Sequence, residues 1–71
     1  MIAAEIETVQ FNHIDTIHIE RWCSEMLGPK AIFRDQVSDE YPWTVSYSGL
    51  GTYLWHFAHA ESATLFALRW R

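Results

Sequence analysis

The stretch "HFAH" places His56 and His59 three residues apart, a spacing at which two imidazoles on a helix can hold one metal ion. Zinc takes three or four protein ligands, so His13 and His18 would have to complete the set from another element. The surrounding pattern puts His56 in a strand and His59 at a strand-to-helix junction, which removes the helical spacing. The expectation is polar surface and junction histidines, with no metal and no cofactor. Cys23, the single cysteine, would suit a thiol nucleophile beside a histidine. It falls on an apolar stripe with Ile19 and Met26, where a cysteine behaves as a small hydrophobe. Asp35, Asp39 and Glu40 cluster near Tyr41, and paired carboxylates can do acid–base work. Their polar, Pro42-bounded setting reads instead as solvated surface charge. No nucleotide-binding glycine motif, nucleophile elbow or zinc-protease motif occurs. "SGLGT" is too short for a phosphate loop and reads as a hairpin turn. The chain is expected not to be an enzyme.

The elements that would position these residues follow from periodicity. "IAAEIETVQF" reads as a strand, with Ile2, Ala4 and Ile6 on one side. Val9 and Phe11 shift the phase, so a bulge or strand end is expected near Thr8. "HIDTIHIERWCSEMLGP" reads as a helix whose stripe is Ile19, Trp22, Cys23, Met26 and Leu27. Asn12 or Asp15 can cap its start, Gly28 can take the left-handed C-terminal position, and Pro29 stops it. Ala31 to Val37 is left open as an optional short strand with Ala31, Phe33 and Val37 on one side, because Asp35 interrupts the pattern. "WTVSYS" alternates Trp43, Val45 and Tyr47 against Thr44, Ser46 and Ser48. "SGLG" reverses the chain, and "TYLWHF" returns with Tyr53, Trp55 and Phe57 on one side. The end "ATLFALRWR" puts Ala63, Phe66, Ala67 and Trp70 on one helical stripe. Glu61 in its first turn and Arg69 and Arg71 in its last suit the helix dipole. Phe66 and Trp70 are expected as core or interface anchors, with Arg69 and Arg71 exposed. The predicted fold is a single α+β domain over residues 1–71. It is two-layered, in the order β-α-(β)-β-β-α, with an antiparallel or mixed sheet of three or four strands and both helices on one face.

Composition narrows function. A chain of 71 residues has a thin stability margin, and four Trp, four Phe and three Tyr exceed what so small a core should hide. A homodimer or higher assembly is therefore expected. The net charge of -4 has the wrong sign for nonspecific nucleic-acid binding and favours basic partners. One cysteine excludes an internal disulfide, and no secretory signature or membrane-length apolar run occurs. The expected setting is cytoplasmic.

Trp43, Gly49, Tyr53, Trp55 and Phe57, followed by "AESATLFALRW" from Ala60 to Trp70, resemble a group of small uncharacterised proteins of tailed bacteriophages. That group carries an aromatic strand, an acidic helix start, an alanine and a Phe-x-Leu-Arg-aromatic ending. This chain has His59 where the group tends to carry Asp. The resemblance covers roughly the last 30 residues of the chain. It implies a viral origin, hence a bacterial host cytoplasm, and a short accessory gene. It implies no activity and no catalytic residue.

The functional expectation is a non-enzymatic accessory protein that binds another protein. An inhibitor of a host or anti-phage defence protein, in the manner of an anti-CRISPR whose acids compete for a nucleic-acid groove, is its specific form. The expected contact residues are Trp43, Tyr47, Tyr53 and Trp55 with Asp35, Asp39, Glu40 and Tyr41. The alternative is a small nucleic-acid regulator that stacks bases on the aromatic sheet face. Against it stand the acidic balance and only five Lys plus Arg.

Overall fold

The structure, a computed structural model, describes residues 1–9, 13–47, 49 and 51–70, with the side chains at 13 and 14 excepted. The elements are β1 (Ala4–Val9), α1 (His13–Met26), one 3-10 turn (Arg34–Gln36), β2 (Trp43–Tyr47), β3 (Thr52–Phe57) and α2 (Ala60–Trp70). The three strands form one antiparallel sheet in the order β1-β3-β2. The fold is α+β in the expected order, without the optional strand.

Register sorts the side chains onto two faces. One face carries the rows Ala4–Phe57–Trp43, Ile6–Trp55–Val45 and Thr8–Tyr53–Tyr47. The other carries Glu5–His56–Thr44 and Glu7–Leu54–Ser46. Both helices cover the first face. Ile6, Trp43, Trp55 and Phe57 from the sheet pack with Ile19 and Cys23 of α1 and with Ala63 and Phe66 of α2. The Phe66 ring sits 5.1 Å from that of Trp55 and 5.2 Å from that of Phe57. Ala63, Phe66, Ala67 and Trp70 thus form the stripe that periodicity predicts, with Phe66 fully buried. Arg69 is exposed and lies over the Trp70 ring at 4.2 Å. Arg71 lies outside the described residues.

Buried indoles need a hydrogen-bond partner. Trp43 Nε1–H donates to the Gly28 carbonyl and Trp55 Nε1–H to Thr8 Oγ1, each at 2.8 Å. The first bond ties the end of α1 to the sheet. Gly28 ends α1 with φ 124, and its N–H and that of Leu27 both turn back to the Cys23 carbonyl. Gly49 and Gly51 supply the positive φ values, 86 and 79, of the β2–β3 reversal. Ser48 of the predicted alternation lies outside the described residues.

The structure corrects several expectations. β1 keeps one register from Ala4↔Phe57 to Val9↔Thr52, so of the two alternatives near Thr8 the bulge is absent, while the expected strand end falls at Val9. Thr8 stays in phase because its hydroxyl receives the Trp55 indole, and Val9 turns to the open face. Phe11, and Asn12 as a cap, lie outside the described residues. Met26 ends α1 and is 60% exposed, whereas Thr16 takes a buried place on the helix. Residues 31–37 form no strand. A single parallel bridge, Lys30↔Trp43, is followed by the 3-10 turn, with Gln36 N–H on the Phe33 carbonyl at 2.9 Å. Asp35 and Gln36 favour that local turn over a strand whose inner face must be apolar. Ala31 and Val37 are buried as anchors, but Phe33 points out.

The 30–42 segment is nonetheless well tied. Ala31 N–H donates to the Trp43 carbonyl and Thr44 Oγ1–H to the Ala31 carbonyl, each at 2.8 Å. The N-terminal amine donates to the Val37 carbonyl. The segment therefore wraps the outer edge of β2 and closes the Thr44 corner of the open face.

Candidate functional site

The predicted contact residues separate by burial. Trp43 and Trp55 are 0% exposed, so the expectation that they meet a partner is corrected. Alternation places them on one side of the hairpin but does not say that both helices cover that side. Their burial takes these two indoles out of any platform on which bases would stack. Tyr53 is half-buried against Tyr47, their rings 5.0 Å apart. Tyr47, Tyr41, Asp35, Asp39 and Glu40 are exposed. Four of these lie on the 30–42 segment.

Ile32 and Phe33 are exposed apolar residues that the sequence reading did not place at the surface, at 76% and 63% exposed. Phe33 had an inward place in the optional strand. The breaking of its alternation by Asp35 and Gln36 was the signal that it could turn outward. Lys30, Ile32, Gln36 and Tyr41 line a groove of about 470 Å³. Residues 30–41 thus display apolar side chains, a groove and three acids on a stretch of chain anchored at Ala31 and Val37.

The histidines have different fates. His59 Nε2 meets Asp39 Oδ1 at 3.1 Å at the surface, and its carbonyl accepts from Ala63 N–H at the start of α2. His13 as a ligand lies outside the described side chains. Among the described residues no three His, Cys, Asp or Glu side chains are grouped to hold a metal. His56 is not a surface residue: it is 0% exposed on β3. Its Nδ1 is 2.5 Å from Glu5 Oε2 on β1, and its Nε2 is 2.9 Å from Ser46 Oγ on β2. An ionised carboxylate only accepts, so Nδ1 carries the proton and Nε2 accepts from the serine hydroxyl. This assignment follows from the hydrogen-bond network. The chain Glu5–His56–Ser46 crosses all three strands.

Cys23 sits outside any such chain. Burial, and secondarily the Glu20 charge, push its thiol from 9.0 up to about 12. It stays protonated at neutral pH and so lacks the thiolate needed for attack.

The geometry defines a two-layer α+β domain with one helix-covered aromatic face, an anchored acidic–aromatic loop and a polar relay in which a buried His56 joins an exposed Glu5 to a half-buried Ser46. No protein-family model, curated protein or solved structure matches the chain.

Proposed function

We propose that this chain is a small phage-type accessory protein that acts in the host cytoplasm by binding another protein through residues 32–41. The observation that carries this reading is the outward display of Ile32, Phe33 and Tyr41 beside Asp35, Asp39 and Glu40. Large apolar side chains exposed together with a groove favour a protein contact. The three acids favour a basic partner surface, which fits inhibition of a host or defence protein at its nucleic-acid groove. The tethering of the segment at Ala31 and Val37 lowers the entropy lost on binding. The same apolar side chains support self-association when no partner is present. No described helix is long and apolar enough to cross a membrane.

The test is affinity capture from a host lysate with the parent and with a Phe33→Ala, Tyr41→Ala variant, each checked by circular dichroism. The reading expects a basic protein retained by the parent, lost by the variant and released as salt rises. Equal capture by both folded proteins would reject the 32–41 surface.

A further inference from the structure

We propose that Ser46 is a base-activated nucleophile that takes an acyl group from an activated ester. The inference goes beyond the binding reading and does not depend on it. Its basis is the order and geometry of the three side chains. The Ser46 hydroxyl donates to His56 Nε2 at 2.9 Å, and His56 Nδ1–H donates to Glu5 at 2.5 Å. A nucleophile bonded to a base, and the base to an orienting acceptor, is the arrangement that activates a serine hydroxyl.

The burial pattern suits that role. His56 is 0% exposed, and side chains from both neighbouring strands hold its two ring nitrogens. The ring is therefore fixed in one tautomer and one orientation before any reaction. Ser46 is half-buried on the face opposite the helices. Ser46 thus keeps part of its surface exposed while the base is shut from water. The backbone adds donors nearby. Ala58 N–H donates to the Pro42 carbonyl at 2.9 Å, so the even-numbered β2 residues turn their backbone groups toward β3. The N–H groups of Val45 and Tyr47 then flank Ser46 along the outer edge. They lie in the sheet plane rather than above the open face, so activation of the Ser46 hydroxyl rests on His56.

In the acyl transfer the Ser46 oxygen attacks the carbonyl carbon of an aryl ester and its proton moves to His56 Nε2. The Oγ–C bond forms and the C–O bond to the aryl group breaks. The aryl oxide leaves with the bonding pair and takes the proton from Nε2. His56 returns to its neutral form and Ser46 becomes an ester. Glu5 does not touch the reagent; it is a positioning residue that holds the tautomer.

The competing account is a polar clasp that only joins three strands. The two are separated with p-nitrophenyl acetate and peptide mapping by mass spectrometry. Ser24, exposed on α1, is the internal reference. The proposal expects acetylation of Ser46 at about 10²-fold the rate of Ser24, a gain typical of general-base help. Ser46→Ala loses that adduct. Glu5→Gln, with the circular dichroism spectrum unchanged, slows it at least about tenfold and alters its pH profile, because an amide can donate to Nδ1 and reverse the tautomer. Equal rates at Ser46 and Ser24, equal Ser46 labelling in the parent and Glu5→Gln, or acetylation confined to Lys30 and the N-terminal amine would each overturn the proposal.

Discussion

Phe66→Ala is the substitution that tests the whole packing scheme. The Phe66 side chain is fully buried and meets three other aromatic rings, at 6.3 Å from Trp22, 5.1 Å from Trp55 and 5.2 Å from Phe57. It therefore joins both helices to the central strand. Truncating a buried Phe costs about 3–5 kcal/mol, and lost aromatic pairing puts this site toward the upper end. At ~0.05–0.15 kcal/mol per residue, a domain of 71 residues holds about 4–11 kcal/mol in total. One truncation thus removes a third or more of the stability, and all of it at the lower bound. With a urea slope of about 1 kcal/mol/M, the midpoint should fall by about 3–5 M. The control is Leu68→Ala, two positions along the same helix but 81% exposed, which should change stability by less than ~0.5 kcal/mol. The assay is a paired urea melt followed by circular dichroism. A Phe66→Ala protein that melts within ~1 kcal/mol of the parent would refute the core assignment. Loss of a partner with an unchanged melt would make α2 a displayed recognition helix instead.

Alkali should expose the burial of Cys23. The folded thiol at about 12 holds its proton where the unfolded one, at 9.0, has released it. The unfolded state then binds fewer protons, so stability present below pH 9 is lost as pH rises toward 12, by about 1.4 kcal/mol per unit. Comparing the parent with Cys23→Ala cancels the other titrating groups, and identical pH slopes would contradict the assignment. Gly28→Ala forces an L side chain to φ 124 with its Cβ 3.4 Å from Pro42 Cγ. It should cost about 1–3 kcal/mol in a thermal melt, whereas a neutral result would mean the turn relaxes. Light scattering at micromolar concentration should give more than a monomer mass for the parent, and a lower mass for Phe33→Ser with Tyr41→Ser. An unchanged mass would remove that surface from self-association.

Periodicity carried the reading furthest where one face of an element is covered along its whole length. α2 needed only Ala63, Phe66, Ala67 and Trp70, because each repeats at helical spacing against one sheet. The β2–β3 hairpin was equally legible from Trp43, Val45 and Tyr47 opposite Phe57, Trp55 and Tyr53. Gly28 was legible because so few residues tolerate its φ. Exposure was harder to read than side. The same alternation that put Trp43 and Trp55 together says nothing about how much helix lies over them.

His56 marks where such reading stops, and the reason is physical. In an alternating strand a polar residue opposite an aromatic face is expected to meet water. His56 is fully buried, and its neighbour Thr44 is tied down by a segment that has no periodicity of its own. Ala31 and Val37 are buried as single anchors, and their bonds to Trp43, Thr44 and the N-terminal amine are backbone bonds or depend on one. Those bonds leave no trace in residue type. Once the Thr44 corner is closed, a buried imidazole must satisfy both nitrogens. Its partners come from whichever residues the strand order brings alongside. β1 lies next to β3 rather than β2, and that placement brings Glu5 to a histidine 51 residues away in the chain. The relay is therefore a product of topology. Its serine, histidine and glutamate acquire a shared chemistry only when three separate strands are laid in the order β1-β3-β2.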